Sequence, residues 1–170
     1  MNYPHITNKT ELIQAILDYH EGAIPVNINE WDVSAVTDMK EIFRDNSFNE
    51  DISNWHVDNV TNMNGMFRNC NNFNQELSSW NVSNVTDMRH MFRNSNKFNQ
   101  DISNWDVSNV TTMKNMFKSA VDFNQDLNNW DVSNVSDMDS MFNNAISFNQ
   151  VLTGTWFTTT QTHSPSQMFT

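Results

Sequence analysis

Acidic side chains recur at a fixed interval and are the residues best placed to do chemistry. Four carboxylates stand 25 residues apart, at Asp51, Glu76, Asp101 and Asp126. If consecutive units of the chain stack, these groups lie about 5 Å apart and repel one another unless cations or hydrogen-bond donors intervene. One interpretation is a ladder of calcium ions. We favour the other, in which each carboxylate accepts hydrogen bonds from the backbone of its own turn or faces water, so that no metal site is expected.

No arrangement of residues indicates an enzyme. The sequence has no Ser-His-Asp or Cys-His spacing typical of a hydrolase, no glycine-rich phosphate-binding motif, and only three glycines. The histidines are scattered, at His5, His20, His56, His90 and His163. The two that fall in regular units, His56 and His90, occupy different offsets and do not indicate a metal site. We therefore expect a non-enzymatic protein that needs no cofactor.

The composition excludes several classes of protein. The 170 residues carry nine lysines and arginines against twenty aspartates and glutamates, a formal charge of -11 that disfavours a nucleic-acid partner. The apolar runs are too short for membrane insertion, and the N-terminal MNYPHITNKTELIQ lacks the regions of a signal peptide. The single cysteine, Cys70, cannot form an internal disulfide. As written, the sequence predicts a cytoplasmic chain with one domain.

An internal repeat must position these residues. Six tryptophans mark it at intervals of 24 to 26 residues, at Trp31, Trp55, Trp80, Trp105, Trp130 and Trp156. One unit, FNQDISNWDVSNVTTMKNMFKSAVD, runs from Phe98 to Asp122, and eight apolar positions recur in each unit. Because a short unit cannot bury its own apolar face, a stack of units is expected to share one core. The tryptophans, methionines and phenylalanines are therefore interpreted as core.

The spacing within a unit predicts an α/β fold. Ile102, Trp105 and Val107 follow the L-x-x-L-x-L pattern that begins a leucine-rich repeat, which predicts a short parallel strand at each Trp-x-Val. The next apolar residues fall at i, i+3, i+6 and i+7, as in Val110, Met113, Met116 and Phe117. That spacing predicts a short helix after each strand. The expected architecture is a solenoid of leucine-rich-repeat type.

Three segments follow from this interpretation. Residues 1–23 are expected to form an N-terminal helical cap, with Thr10 as its N-cap and Gly22 as its stop. Residues 24–157 are expected to form the solenoid of 25-residue repeats. Residues 158–170 are expected to form a degenerate C-terminal coil, in which Met168 and Phe169 echo the Met-Phe pair of earlier units.

The best candidate for recognition is the residue directly after each tryptophan. Side chains alternate across a strand, so this residue must point away from the core. We call these residues the outward row: Asp32, His56, Asn81, Asp106 and Asp131. The row varies between units while its apolar neighbours do not, which favours binding of a protein partner with basic or hydrogen-bonding groups. The alternative is a merely solvated face.

Two further polar columns are expected to have structural roles. The asparagines Asn49, Asn74, Asn99, Asn124 and Asn149 could form a hydrogen-bonded ladder that satisfies the turn backbone. A basic row, Arg44, Arg68, Arg93 and Lys118, follows the phenylalanine of each predicted helix. These cations are expected to complement helix C-termini or neighbouring carboxylates.

The units FNQDISNWDVSNVTTMKNMF, FNQELSSWNVSNVTDMRHMF and FNEDISNWHVDNVTNMNGMF resemble the 25-residue repeats of BspA-like leucine-rich-repeat surface proteins. The resemblance covers about residues 24 to 157. It implies a solenoid fold, a role in binding or adhesion, and a bacterial protein that is exposed on the cell surface or secreted. The compartment therefore stays open between this and the cytoplasmic expectation.

Two functions are consistent with these features. The first is a non-enzymatic protein-interaction module that uses the exposed sheet face of the solenoid and binds through the outward row. The second is a structural or adhesive surface building block that self-associates end to end. Light scattering across protein concentration separates them, since the second requires self-association.

Overall fold

The structure of the protein is a computed structural model that describes residues 5–24, 26–157 and 165–170. These residues contain two α-helices, α1 (Lys9–His20) and α2 (Pro165–Met168), and two short 3-10 helices, Ile28–Glu30 and Gly154–Phe157. Neither α-helix is long and apolar enough to cross a membrane. Parts of the expected cap (1–4) and of the expected C-terminal coil (158–164, with His163) lie outside the described residues.

Helix α1 lies within the segment expected to form the cap. Its N-cap is Asn8 and not Thr10, because the Asn8 side chain accepts a hydrogen bond from the N–H of Glu11 at 3.1 Å. The helix buries Leu12, Ala15 and Ile16 against the first unit. It therefore covers the apolar N-terminal end of the repeats.

The predicted α/β fold of leucine-rich-repeat type is wrong. Helix makes up 13% of the structure and strand 4%, with no sheet, so most of the chain is coil. In the described units no strand forms at Trp-x-Val beyond an isolated bridge between Asp32 and His5, and no helix follows it. Isolated parallel bridges instead link one position in successive units: Asp38, Asn62, Asp87, Thr112 and Asp137. The contacts between units thus lie in the segment expected to be helical.

Tight turns explain why the apolar spacing resembled a helix. Within a unit, an inward residue often bonds its backbone N–H to the carbonyl of the inward residue three positions earlier. The N–H of Val60 donates to Val57 at 2.9 Å, and the N–H of Met66 donates to Met63 at 3.1 Å. These are β-turn bonds, and the two cited enclose Asp58-Asn59 and Asn64-Gly65. A positive φ of 62° at Gly65, inside one of these turns, is incompatible with a continuing α-helix.

Backbone hydrogen bonds join each unit to the next. The N–H of Met39 donates to the carbonyl of Asn62 at 2.9 Å, and the same bond recurs at the equivalent positions of later units. A second series of backbone hydrogen bonds has the opposite direction, since the N–H of Thr111 donates to the carbonyl of Thr86 in the preceding unit at 2.9 Å. The units therefore stack in register, and this stacking satisfies the backbone groups that coil would otherwise leave unpaired.

The core runs through the stack as files of identical side chains, as the repeat predicted. The ring centroids of Phe92 and Phe117 lie 5.7 Å apart at an interplanar angle of 6°. Trp105 and Trp130 stack at 6.4 Å and 4°. The six tryptophans are at most 3% exposed, and the buried residues form one cluster. The interpretation of these positions as core is confirmed.

The residues after the last unit close the C-terminal end. The N–H groups of Ser140 and Phe142 donate to the carbonyls of Gln167 and Met168, both at 2.7 Å. Phe169 extends the phenylalanine file by stacking on Phe142 at 5.6 Å. The Met-Phe echo therefore corresponds to a real contact with the stack.

Candidate functional site

The five residues of the outward row are all exposed, and most of them cap a turn. The first carboxylate oxygen of Asp106 accepts both the N–H and the hydroxyl of Ser108, at 3.1 and 2.6 Å. Asp131 accepts the N–H of Ser133 in the same way at 3.0 Å. In the described residues, the second oxygen of each of these carboxylates makes no hydrogen bond. The turn fixes one oxygen, and the other faces solvent.

The same turns keep the aspartates of the row negative. The hydroxyl and N–H of Ser34, followed by the bond from His5, lower the pKa of Asp32 to about 2. The serine two residues later likewise lowers the pKa of Asp106 and of Asp131, first through its hydroxyl and then through its N–H. Stabilisation of a carboxylate by donors favours its charged form.

In the second and third units, the outward row carries a histidine and an asparagine in place of an aspartate. His56 stands where the other units carry Asp or Asn, and the carboxylate moves to Asp58, 3.8 Å from the His56 ring. Asp58 also accepts a hydrogen bond from the Asn81 side chain at 2.8 Å. Asn81 caps its own turn, since its oxygen accepts the N–H of Ser83 at 3.2 Å. The row therefore contains two pronounced negative positions side by side, at Asp106 and Asp131.

The carboxylate column follows the interpretation that we favoured. Asp51, Asp101 and Asp126 each accept the N–H of the residue two positions later at 2.9 Å, and Glu76 accepts the hydroxyl of Ser78. In the part of the chain that the structure describes, no group of three or more His, Cys, Asp or Glu side chains is placed to hold a metal ion. The carboxylates hold turns in place.

The asparagine ladder predicted from the sequence is confirmed, in a side-chain-to-backbone form. The side-chain oxygen of Asn74 accepts the N–H of Asn99 at 2.9 Å, and Asn99 accepts that of Asn124 at the same distance. Gln125 adds a side-chain bond to the Asn99 carbonyl at 2.8 Å. The column therefore fixes the register between units.

An open cleft of about 280 Å³ lies at the N-terminal end of the outward row. Its lining residues are Asn29, Glu30, Trp31, Asp32, Asn54 and His56. The indole N–H of Trp31 is buried without a partner among the described residues, whereas that of Trp55 donates to the Ile28 carbonyl at 2.8 Å. The volume is below the range of about 300–1,000 Å³ common for small-molecule sites. The cleft alone does not define a ligand pocket.

The basic row has no helix to complement. Arg44 instead pairs with Glu41 at 3.0 Å and with Asp45 at 2.9 Å. Within the described residues, Arg68, Arg93 and Lys118 form no ion pair, contrary to the expected pairing with neighbouring carboxylates. The signal was present in the sequence, because no later unit has an acidic residue at the positions of Glu41 and Asp45.

The stacked and repeated units define the class of the molecule as a repeat protein. The chain belongs to the family described as "Mycoplasma protein of unknown function, DUF285", whose family model matches residues 10–107 and, a second time, residues 77–170. The double match agrees with the internal repeat. Searches of curated proteins and of solved structures found no match.

Proposed function

We propose that the protein is a non-enzymatic interaction module that presents the outward row to a basic protein partner. The observation that carries this proposal is the arrangement of Asp106 and Asp131, which are exposed, held at one oxygen by their turns, and lowered in pKa. Fixed carboxylates lose little side-chain entropy when they bind. The outward row does not lie on a sheet face as the sequence predicted, because the described residues form no sheet.

Charge supports a basic partner. The chain has a formal charge of -11, and no lysine or arginine follows Lys118, while five aspartates do. The C-terminal part of the stack therefore carries a negative field that accelerates encounter with a basic surface and weakens as salt rises. The narrower assignment to BspA-like proteins, and with it a cell-surface or secreted location, rests on the resemblance of the repeats alone and stays a prediction.

The experiment compares two double variants with the same change in charge. Asp106→Asn with Asp131→Asn removes both carboxylates from the outward row but keeps the turns, because Asn81 caps the equivalent turn. Asp101→Asn with Asp126→Asn makes the same change in the carboxylate column. Each variant and the unmodified protein are used for affinity capture from the native source, with quantitative mass spectrometry.

We expect a basic protein that the unmodified chain and the Asp101/Asp126 variant retain and the Asp106/Asp131 variant loses. Thermal unfolding should give similar melting temperatures for the two variants. If both variants retain every captured protein, or lose the same ones, the outward row is not the binding surface.

A self-associating building block is the alternative, and exposed apolar side chains at both ends of the stack favour it. Leu17 on α1 is 51% exposed, while Val151 and Phe157 near the last unit are 76% and 50% exposed. Phe157 stands directly after Trp156, where other units carry the polar outward row. A second copy could cover these groups end to end. Light scattering that gives the monomer mass at all concentrations would rule this function out.

A further inference from the structure

Most of the positive charges, all except those of Lys9 and Lys97, lie on one segment of each unit. Seven of the nine lysines and arginines fall between 40 and 118 in the segments that carry the ladder between units: Lys40, Arg44, Arg68, Arg89, Arg93, Lys114 and Lys118. Arg89 bonds to Asp87 at 2.6 Å, and Lys114 lies 3.4 Å from Asp139. Arg44 is paired as well, whereas Arg68 and Arg93 in the middle of the basic row, and Lys118 at its end, form no ion pair within the described residues.

Arg68 and Arg93 are neighbours in adjacent units. Each directly follows a phenylalanine of the stacked file, and the rings of Phe67 and Phe92 are 5.5 Å apart. The N–H of Asn69, the residue after Arg68, donates to the carbonyl of Arg93 at 2.8 Å. Two arginines therefore lie on adjacent units, and neither forms an ion pair in the described chain. Asp45 lies close enough to Arg68 to be affected by its charge, since the Asn69 side chain first, and then Arg44 and Arg68, lower the pKa of Asp45.

His90 completes this cluster. It belongs to the same turn as Arg93, whose N–H donates to the His90 carbonyl at 3.1 Å. Burial, and then the charges of Arg93, Arg68 and Arg89, lower the pKa of His90, while Asp87 opposes them. The ring is thus close to several cations that outweigh the one nearby carboxylate.

Nitrogen atoms of all three side chains lack hydrogen-bond partners. Nε of Arg68, Nε of Arg93 and Nδ1 of His90 are buried and have no partner among the described residues. Buried polar groups are nearly always satisfied, so the two arginine N–H donors in this cluster call for an acceptor, and the His90 ring adds a third donor when its Nδ1 carries a proton. A small movement toward an anion would give these groups that acceptor and neutralise the charge.

We propose that Arg68, His90 and Arg93 form a binding site for a tetrahedral oxyanion, a phosphate or sulfate group that is free or part of a monoester. Such a group has three or four acceptor oxygens and can bond all three side chains at once, whereas a carboxylate has two. Arginine is the side chain whose planar fork best matches phosphate. The site uses none of the residues of the outward row, so it stands independently of the proposed protein partner.

The test is a titration followed by NMR of the histidine rings, with His90 assigned through a His90→Asn variant. Asparagine suits this position because Asn115 occupies it in the next unit, with the same positive φ. The probes are sodium phosphate, sodium sulfate, O-phosphoserine and sodium acetate, each against sodium chloride at equal ionic strength. The first two represent free anions and the third a monoester.

We expect phosphate or O-phosphoserine to shift the His90 resonances saturably and to raise the pKa of His90. Arg93→Gln should weaken binding about ten- to a hundredfold, as expected for loss of a hydrogen bond between charged groups. Lys97→Gln removes the same charge from a lysine that pairs with Asp122, and should bind within about twofold of the unmodified chain. Preference for O-phosphoserine over free phosphate would identify a monoester as the ligand.

Equal shifts with chloride would overturn the proposal, because they would show screening rather than a site. Unchanged affinity in Arg93→Gln would also overturn it. If that variant fails to fold, the titration of the unmodified protein decides alone: shifts that spread over all observable histidines, or no rise in the His90 pKa, contradict the site.

Discussion

Aspartate and asparagine are interchangeable in the outward row because the first oxygen of either side chain can accept the same turn N–H. Asn81 and Asp106 both do so, to Ser83 and Ser108. The two side chains differ at the other terminal atom, which is a charged carboxylate oxygen in aspartate and an NH2 nitrogen that donates hydrogen bonds in asparagine. The polar character of the row therefore has a structural cause, and its charge is the property left free for recognition.

The stability of the protein should decrease as the pH falls from about 4 to about 2. Hydrogen bonds lower the pKa of Asp32 to about 2 and also lower that of Asp101, Asp106 and Asp131, whereas an aspartate in the unfolded chain titrates near 3.9. Their contribution is complete above the unfolded value and is lost as the folded carboxylates gain protons. Urea unfolding across this range measures the effect.

Asp106→Asn provides the comparison for this pH dependence. The free-energy difference between the variant and the unmodified chain should narrow toward pH 2, where both side chains are neutral. Asp18→Asn on α1 makes the same change in charge in a side chain that bonds only to Gln14 in the described chain. If the difference in free energy of unfolding between Asp106→Asn and the unmodified chain stays constant from pH 7 to pH 2, the hydrogen bonds of the Asp106 turn are not the source of the pH-dependent stability.

From the second unit to the last, each tryptophan stabilises the stack in two ways: its ring packs in the core, and its indole N–H donates one hydrogen bond to the preceding unit. Trp105→Ala should cost about 3–5 kcal/mol, because it leaves a cavity beside Trp130. Trp105→Phe should also lose the bond from Nε1 to the Leu77 carbonyl (3.0 Å), worth about 0.5–1.5 kcal/mol. Trp31→Phe is the matched control, since its Nε1 has no partner in the described residues. Equal costs for the two phenylalanine variants, measured by chemical denaturation, would contradict this role.

The repeat predicts the core residues of each unit correctly but predicts the wrong backbone conformation for them. The recurrence of Trp105, Met113 and Phe117 at fixed positions of the repeat was enough to predict that they lie in the core. Their burial depends on which positions recur in each unit and not on the local backbone conformation. A spacing of three between apolar residues fits both a helix and a series of turns. The two residues enclosed at each step decide between them: Ser53-Asn54 and Asn64-Gly65 are turn formers and poor helix formers.

The outward row was predicted to point outward from strand alternation, and it does so for another reason. Asp106 lies between two inward residues, Trp105 and Val107, and its side chain turns outward to accept the N–H of Ser108 in the turn that follows. The sequence predicts Arg68 and Arg93 as neighbours in the basic row, but it does not predict the position of His90 beside them, because a helix over this segment would have separated the side chains differently. Ladder contacts between units agree with the repeat in placing Arg68 and Arg93 on adjacent units.

Ser119, a turn residue with a positive φ, allows a test of the backbone conformation of the units. Ser119 has a φ of 58°, where Asn94 stands in the preceding unit with a φ of 60°. A side chain without special tolerance for this region costs about 1 kcal/mol relative to glycine, so Ser119→Gly should raise the free energy of unfolding by about 0.5–1 kcal/mol. Ser119→Ala is the control, because it removes the hydroxyl but keeps the strained Cβ. If Ser119→Ala raises the free energy of unfolding as much as Ser119→Gly does, the positive φ of Ser119 is not the cause of the increase.

The main backbone ladder of the stack has one direction along the axis. In the ladder that begins at Met39, every N–H points toward the following unit and every carbonyl toward the preceding one. The last unit must therefore leave N–H groups without a following unit, and the residues at 167–168 supply their acceptors. At the other end, the carbonyls of Lys40 and Ile42 accept no hydrogen bond from any described residue. The two ends are complementary, and an open edge of this kind favours association with a further chain.

Removal of residues 165–170 tests whether the C-terminal segment prevents such association. The deletion exposes the N–H groups of Ser140 and Phe142 and removes Met168, which is 3% exposed, so we expect a loss of stability on the order of 3 kcal/mol. We also expect concentration-dependent oligomers in sedimentation velocity, because joining one end to the other is a contact that does not close. Phe169→Ser keeps the capping carbonyls and removes only the ring, and should stay monomeric. A truncated chain that is as monomeric and as stable as the full chain would show that the stack needs no cap at this end.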